Sequence, residues 1–132
     1  MKTKTITQTV TLPARPSAVF AALMQQKKHR EFTGASARIV AKVGGAFQCY
    51  QGYVTGITLD LVPPKRIVQA WRGRDWPKGH YSIVTFAMSA VAGGRTKLRF
   101  SQLGVPAADY QAKVAGWSSY YWEPLKRYLS RD

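Results

Sequence analysis

The 132 residues are the size of one domain, and 45% hydrophobic with 20% charged residues is ordinary globular usage, which excludes disorder and leaves no room for two separate cores. Twenty Lys and Arg against six Asp and Glu give a formal charge of +14, a field that draws phosphate, acidic proteins and anionic lipid without specifying any of them. No apolar run reaches the roughly 18 residues a spanning helix needs, and the start, MKTKTITQTV, lacks the apolar centre of a secretory signal.

Residues 3–12 alternate, with Ile6, Val10 and Leu12 opposite five threonines, which predicts a half-buried strand ended by Pro13. Pro16 can open a helix, since its fixed φ suits the first helical position. Val19, Phe20, Leu23 and Met24 give that helix an apolar stripe. The polar run from Gln25 to Arg30 continues as a loop or a second short helix ending near Phe32. From Ser36 to Leu103 strands and turns alternate, with Gly44-Gly45 and Gly52 as turn or bulge signals. Ile57, Leu59 and Leu61 are expected on one strand face; Pro63-Pro64 breaks that strand and Lys65 to Arg72 resumes. Trp76-Pro77-Lys78-Gly79 reads as a loop with a bulky anchor. A long strand over 80–91 puts Ser82, Val84, Phe86, Met88 and Ala90 on one side, and Gly93-Gly94 makes a hairpin turn. The strand over 95–103 then sets Thr96, Leu98 and Phe100 against an exposed basic stripe of Arg95, Lys97 and Arg99.

Pro106 is expected to start a last helix running to about Arg131. Tyr110, Val114, Trp117, Tyr121, Leu125 and Tyr128 recur at helical spacing, and Trp122 and Leu129 widen the stripe. Gly116 leaves a gap for close approach. Pro124 cannot donate to the Tyr120 carbonyl and predicts a kink. An antiparallel meander with one apolar face needs a partner, and only the last helix is long enough to be it. The expected fold is α+β, a curved antiparallel sheet of six to seven strands around a long C-terminal helix. One or two short helices follow the first strand, and residues 1–132 are expected to form a single domain.

Six stretches match a known family in order: Val43-Gly44-Gly45-Ala46-Phe47, Gly52 to Gly56, and Asp60-Leu61-Val62-Pro63 leading to Trp71-Arg72. Then come Trp76-Pro77-Lys78-Gly79-His80, Gly104-Val105-Pro106, and Gly116-Trp117 with Tyr120-Tyr121-Trp122-Glu123. Over most of residues 30–130 the chain resembles the C-terminal domain of the activators of heat-shock protein 90 ATPase. That domain belongs to the helix-grip START and birch-pollen-allergen superfamily. Pro124 departs from the pattern, which has a small residue after the glutamate. The resemblance implies the helix-grip fold and a chaperone or other acidic protein as partner. Through the superfamily at large it also implies a hydrophobic small molecule. The separate N-terminal domain that makes much of the chaperone contact in full activators is not part of the match.

The stock for catalysis is thin. His29 and His80 lie far apart without a carboxylate at useful spacing, and no His, Cys or acid set has metal-ligand spacing. The single Cys49 reads as a small buried hydrophobe and fits a reducing cytoplasm. No catalytic residue, cofactor or metal site is therefore expected. Phe32, Phe47, Trp71, Trp76, Phe86, Phe100, Trp117 and Tyr121 either fill a core or line a cavity, and spacing does not separate the two. In an open cavity Arg72, His80 and Tyr121 would be polar fixtures suited to a carboxylate or an acidic headgroup; otherwise His80 is a hydrogen-bonded strand histidine. Arg72, Arg74 and Lys78 beside Trp76 suit a protein interface, or a solvated loop with Trp76 folded back as a lid. Arg95, Lys97 and Arg99 favour non-specific, salt-sensitive polyanion binding. Two functions follow: a non-enzymatic, co-chaperone-like interaction module, or carriage of a hydrophobic or amphipathic small molecule between sheet and last helix.

Overall fold

The alternating segment Thr3–Leu12 forms β1, its threonines outward and Ile6 and Leu12 buried, as a two-residue period requires. The computed structural model describes residues 1–131. Pro16–Met24 (α1) and Gln26–Thr33 (α2) follow. Six strands come next: Ala37–Ile39 (β2), Ala46–Cys49 (β3), Val54–Val62 (β4), Arg66–Gly73 (β5), Ser82–Val91 (β6) and Arg95–Pro106 (β7). All seven pair antiparallel in one sheet of order β1-β7-β6-β5-β4-β3-β2. The chain then runs through a 3₁₀ turn, Ala107–Asp109, into α3 (Tyr110–Trp117), a π turn (Ser118–Trp122) and α4 (Glu123–Leu129).

The inner face of the sheet closes on this terminal helix. Trp117, Tyr121, Trp122 and Leu125 are buried, and the Trp117 ring lies 4.3 Å from that of Phe100 and 5.6 Å from that of Trp71. Burying an indole N–H is costly without an acceptor. Trp117 Nε1 donates to Gln102 Oε1 at 2.7 Å, Gln102 Nε2 donates to Ser82 Oγ at 3.0 Å, and Ser82 Oγ donates to the Trp71 carbonyl at 2.8 Å. Helix, β7, β6 and β5 are thereby tied by one buried chain. Trp122 Nε1 likewise donates to Gln8 Oε1 of β1 at 2.6 Å.

Four expectations from the sequence are corrected. A β-bulge between Thr58 and Asp60 shifts the phase of β4. Thr58 therefore faces the core while Ile57 and Leu59 are exposed, and only Leu61 packs against the core. A period-two reading cannot anticipate an inserted residue. The strand expected from residue 80 begins at Ser82, leaving His80 and Tyr81 in the preceding loop. Pro106 pairs with Thr3 as the last residue of β7, so the last helix begins after it. At Pro124 the chain forms a π turn rather than a simple kink. The Glu123 N–H donates to the Ser118 carbonyl, five residues back, and Pro124 becomes the second residue of α4, where a missing N–H costs little.

Candidate functional site

A groove of about 490 Å³ opens between the β3–β4 corner and the terminal helix. Tyr50, Tyr53, Val54 and Trp71 form its sheet side; Lys113, Gly116, Trp117, Tyr120 and Tyr121 form its helix side. Gly116 keeps this wall open, since a Cβ there would meet only the Tyr120 ring, at 3.8 Å. On the sheet side Gly56 is required by packing: a Cβ would collide with the Ala70 carbonyl and the Phe47 ring. Tyr50 and Gln51 both take left-handed backbone angles, φ 54° and 55°, a strained choice for residues with side chains. The turn they make carries Tyr50 over the helix, where its ring meets that of Tyr120 edge-on at 5.7 Å.

A polar chain runs along the mouth. Trp76 Nε1 donates to Asp109 Oδ2 at 2.7 Å, and Lys113 Nζ pairs with the same oxygen at 2.7 Å. Lys113 also donates to the Tyr53 hydroxyl at 2.9 Å, which donates to Asp75 Oδ1 at 2.8 Å. Burial opposes the Lys113 charge, but its hydrogen bonds to Asp109 and Tyr53 outweigh it and raise the ammonium's pKa. The groove is thus an aromatic slot whose rim carries the Lys113–Asp109 ion pair.

Deeper in, the space between sheet and helix is nearly filled. A void of about 20 Å³, room for roughly one water, lies among His29, Cys49, Gln69, Phe47 and Phe86 and shares Trp71, Trp117 and Tyr121 with the groove. His29 Nε2 lies 3.1 Å from the Tyr121 hydroxyl and 3.9 Å from Cys49 Sγ. The His29 Nδ1 has no hydrogen-bond partner among the described residues. Burial lowers the His29 pKa to about 4 and pushes the Cys49 thiol up to about 12. Burial first, then Cys49 and Tyr50 nearby, holds Tyr121 well above the usual phenol range. At neutral pH all three are uncharged, so no thiolate–imidazolium pair forms.

Of the aromatic residues singled out from the sequence, Trp71, Trp117 and Tyr121 border the groove. Phe47 and Phe86 border the inner void, while Phe32 and Phe100 pack in the core. Trp76 is folded back and 5% exposed. Arg72 does not line the groove: it braces the β5–β6 loop by donating to the carbonyls of Trp76, Pro77 and His80 at 2.7, 3.2 and 3.3 Å. His80 instead places Nε2 2.7 Å from the Gly104 carbonyl. Arg74, Lys78, Arg95 and Arg99 are exposed and Lys97 half-buried, with Arg74 donating to the Gln51 carbonyl at 2.9 Å. Sequence reasoning passed over Tyr50, Tyr53 and Lys113. The last carried a signal, an acid four residues earlier at Asp109 on the same helical face.

A seven-stranded antiparallel sheet gripping a terminal helix, with two short helices after the first strand, defines a helix-grip domain of the START and birch-pollen-allergen superfamily. The family described as "Activator of Hsp90 ATPase homolog 1-like protein" matches residues 13–130, and the chain belongs to it. The activator of 90 kDa heat shock protein ATPase homolog 1 of Homo sapiens is 34% identical over 122 residues, 92% of this chain and 36% of the relative. A Dictyostelium discoideum homolog is 28% identical over 97% of this chain and 33% of its own length. The chain spans about a third of these curated relatives. Among solved structures, an HSP90 activator from Plasmodium falciparum superposes with a TM-score of 0.89 at 25% identity, covering 95% of both chains. CalU16 from Micromonospora echinospora, at 20% identity, shares the fold with a TM-score of 0.81 over 97% of this chain and 77% of that one.

Proposed function

We propose that this chain is a non-enzymatic interaction module acting on a chaperone ATPase of the 90 kDa heat-shock class. The observation that carries the reading is the match to the human activator over 92% of the chain. The chemistry of the interior supports it. His29 and Cys49 are held neutral by burial. Glu31, Asp60, Asp75, Asp109 and Glu123 each sit against a local cation or hydroxyl. Excess cations are left at the surface, suited to an acidic partner. The purified protein mixed at low salt with the 90 kDa chaperone of its own organism should bind it, raise its ATPase rate, and lose both effects as salt rises. Neither binding nor stimulation at low salt would overturn the proposal.

The groove favours a second reading, carriage of a planar amphipathic molecule. Its aromatic walls suit a flat apolar body, and Lys113 at the rim, already paired with Asp109 and bonded to Tyr53, has one further N–H for an acceptor at that body's polar end. Anilinonaphthalene sulfonate is a probe of that shape. It should quench Trp71 and Trp117 in the native protein and be displaced by Gly116→Leu, which fills the slot. Unchanged tryptophan emission at saturating probe excludes this use of the groove.

A further inference from the structure

The outer face of the sheet, away from the helices, carries an ordered apolar row. Register places Ala46 opposite Ile57, Ile57 opposite Ala70, Ala70 opposite Ile83, and Ile83 opposite Leu103. The row crosses five adjacent strands, β3 to β7, a span of roughly 19 Å at the usual strand spacing. Ile57, Ile83 and Leu103 are 45%, 37% and 60% exposed. Leu59, thrown outward by the β4 bulge, adds to it at 45%. Single exposed apolar residues need no explanation, but a contiguous set does.

Charge borders the row on both flanks. On one side Arg72 stands two residues along β5 from Ala70, with Tyr81 against its guanidinium at 5.9 Å. On the other, two rows away, Arg66 lies opposite Ala87 and Ala87 opposite Arg99, with Lys97 and Arg95 beyond. Of these, only Arg66 has an acid partner among the described residues, Asp60 at 2.8 Å. An apolar centre with a charged rim is the anatomy of a protein interface.

We propose that this outer sheet face is a docking surface for an acidic protein partner, one that presents apolar side chains bordered by carboxylates. The inference rests on the reading of the chain as an interaction module and adds the face used. A second copy of the chain is a poor occupant, because it would set arginines of one +14 molecule against those of another, and like charges across an interface are costly.

The test uses Cys49 as an internal advantage: it is 2% exposed, so an introduced surface thiol is the one labelled. Leu103→Cys carries an environment-sensitive fluorophore on the outer face, and Gln111→Cys carries it on α3. The probe is the 90 kDa chaperone of the same organism, with binding read independently by sedimentation. The expected result is a blue shift and quencher protection at position 103 and none at 111. The paired change Ile83→Ser with Leu103→Ser should weaken binding about tenfold or more, as for central interface residues, with the thermal midpoint near that of the parent. Binding with no protection at 103, or protection at 111 alone, overturns the inference while leaving the interaction-module reading intact. No binding at all overturns both. Duplex DNA or phosphatidylserine vesicles shielding position 103 when the chaperone does not would show a polyanion or lipid surface, and also overturns it.

Discussion

Tyr50 donates its hydroxyl to the main-chain carbonyl of Tyr120 at 2.9 Å, the acceptor that Pro124, four residues on, has no N–H to reach. The contact joins the strained β3–β4 turn to the π turn and forms the rim of the groove. Tyr50→Phe should therefore lower stability by about 1 kcal/mol, the net worth of one such bond. In a Pro124→Ala background, where an intrahelical donor is available again, the same change should cost less. Urea unfolding of the four proteins gives the coupling directly, and full additivity would show that the hydroxyl does not stand in for the proline.

Trp117 contacts Phe100, Trp71 and Phe86 and heads the buried hydrogen-bond chain. Trp117→Ala should cost about 3–5 kcal/mol, the range for a large buried ring, with Gln102 Oε1 left without its donor. Equilibrium unfolding is the check, and a variant as stable as the parent would show that the helix does not close on the sheet.

Cys49 is buried with its thiol pushed up to about 12, so the reactive thiolate is scarce at any physiological pH. Ellman's reagent should leave the native protein unmodified for as long as it stays folded and react at once in guanidinium. Stoichiometric reaction under native conditions would mean the His29 side of the core opens readily.

Arg99 is exposed and has no ion-pair partner among the described residues. Arg99→Ala should move stability by under about 0.5 kcal/mol yet shift elution from heparin to lower salt, since each lost phosphate contact removes roughly one released counterion. Unchanged elution would place polyanion contact elsewhere on the molecule.

The terminal helix, the threonine-faced first strand and the inward set Ser82, Val84, Phe86 and Met88 were legible because burial imposes a period the side chains must obey. The family stretches extended that reading to the whole fold. Ile57 and Leu59 were misplaced because a bulge costs nothing that residue type records, and their outward turn is what completes the apolar row. Arg72 and His80 sit close to Trp71 and Trp76 in sequence, but strand alternation and a loop aim them at carbonyls instead of the groove. Tyr50, Tyr53 and Lys113 come together from a turn and a helix 60 residues apart in sequence, a meeting that no local spacing announces.

Among the described residues, His29 is the histidine whose burial sets a pH dependence just below neutrality. Its folded pKa of about 4 lies below its ordinary 6.5, so between these values the unfolded chain binds the extra proton. Its neighbours offer no compensating charge, because Cys49 from β3 and Tyr121 from the π turn are themselves held neutral. Stability should therefore be full above about pH 6.5 and fall as pH drops toward 4, by up to about 3 kcal/mol from this group. His29→Gln, which cannot take up the proton, should flatten that limb whatever it does to stability at pH 7. Urea midpoints measured from pH 4 to pH 7.5 separate the two behaviours. Parallel curves for parent and variant would show that carboxylates, not the buried imidazole, govern the acid limb.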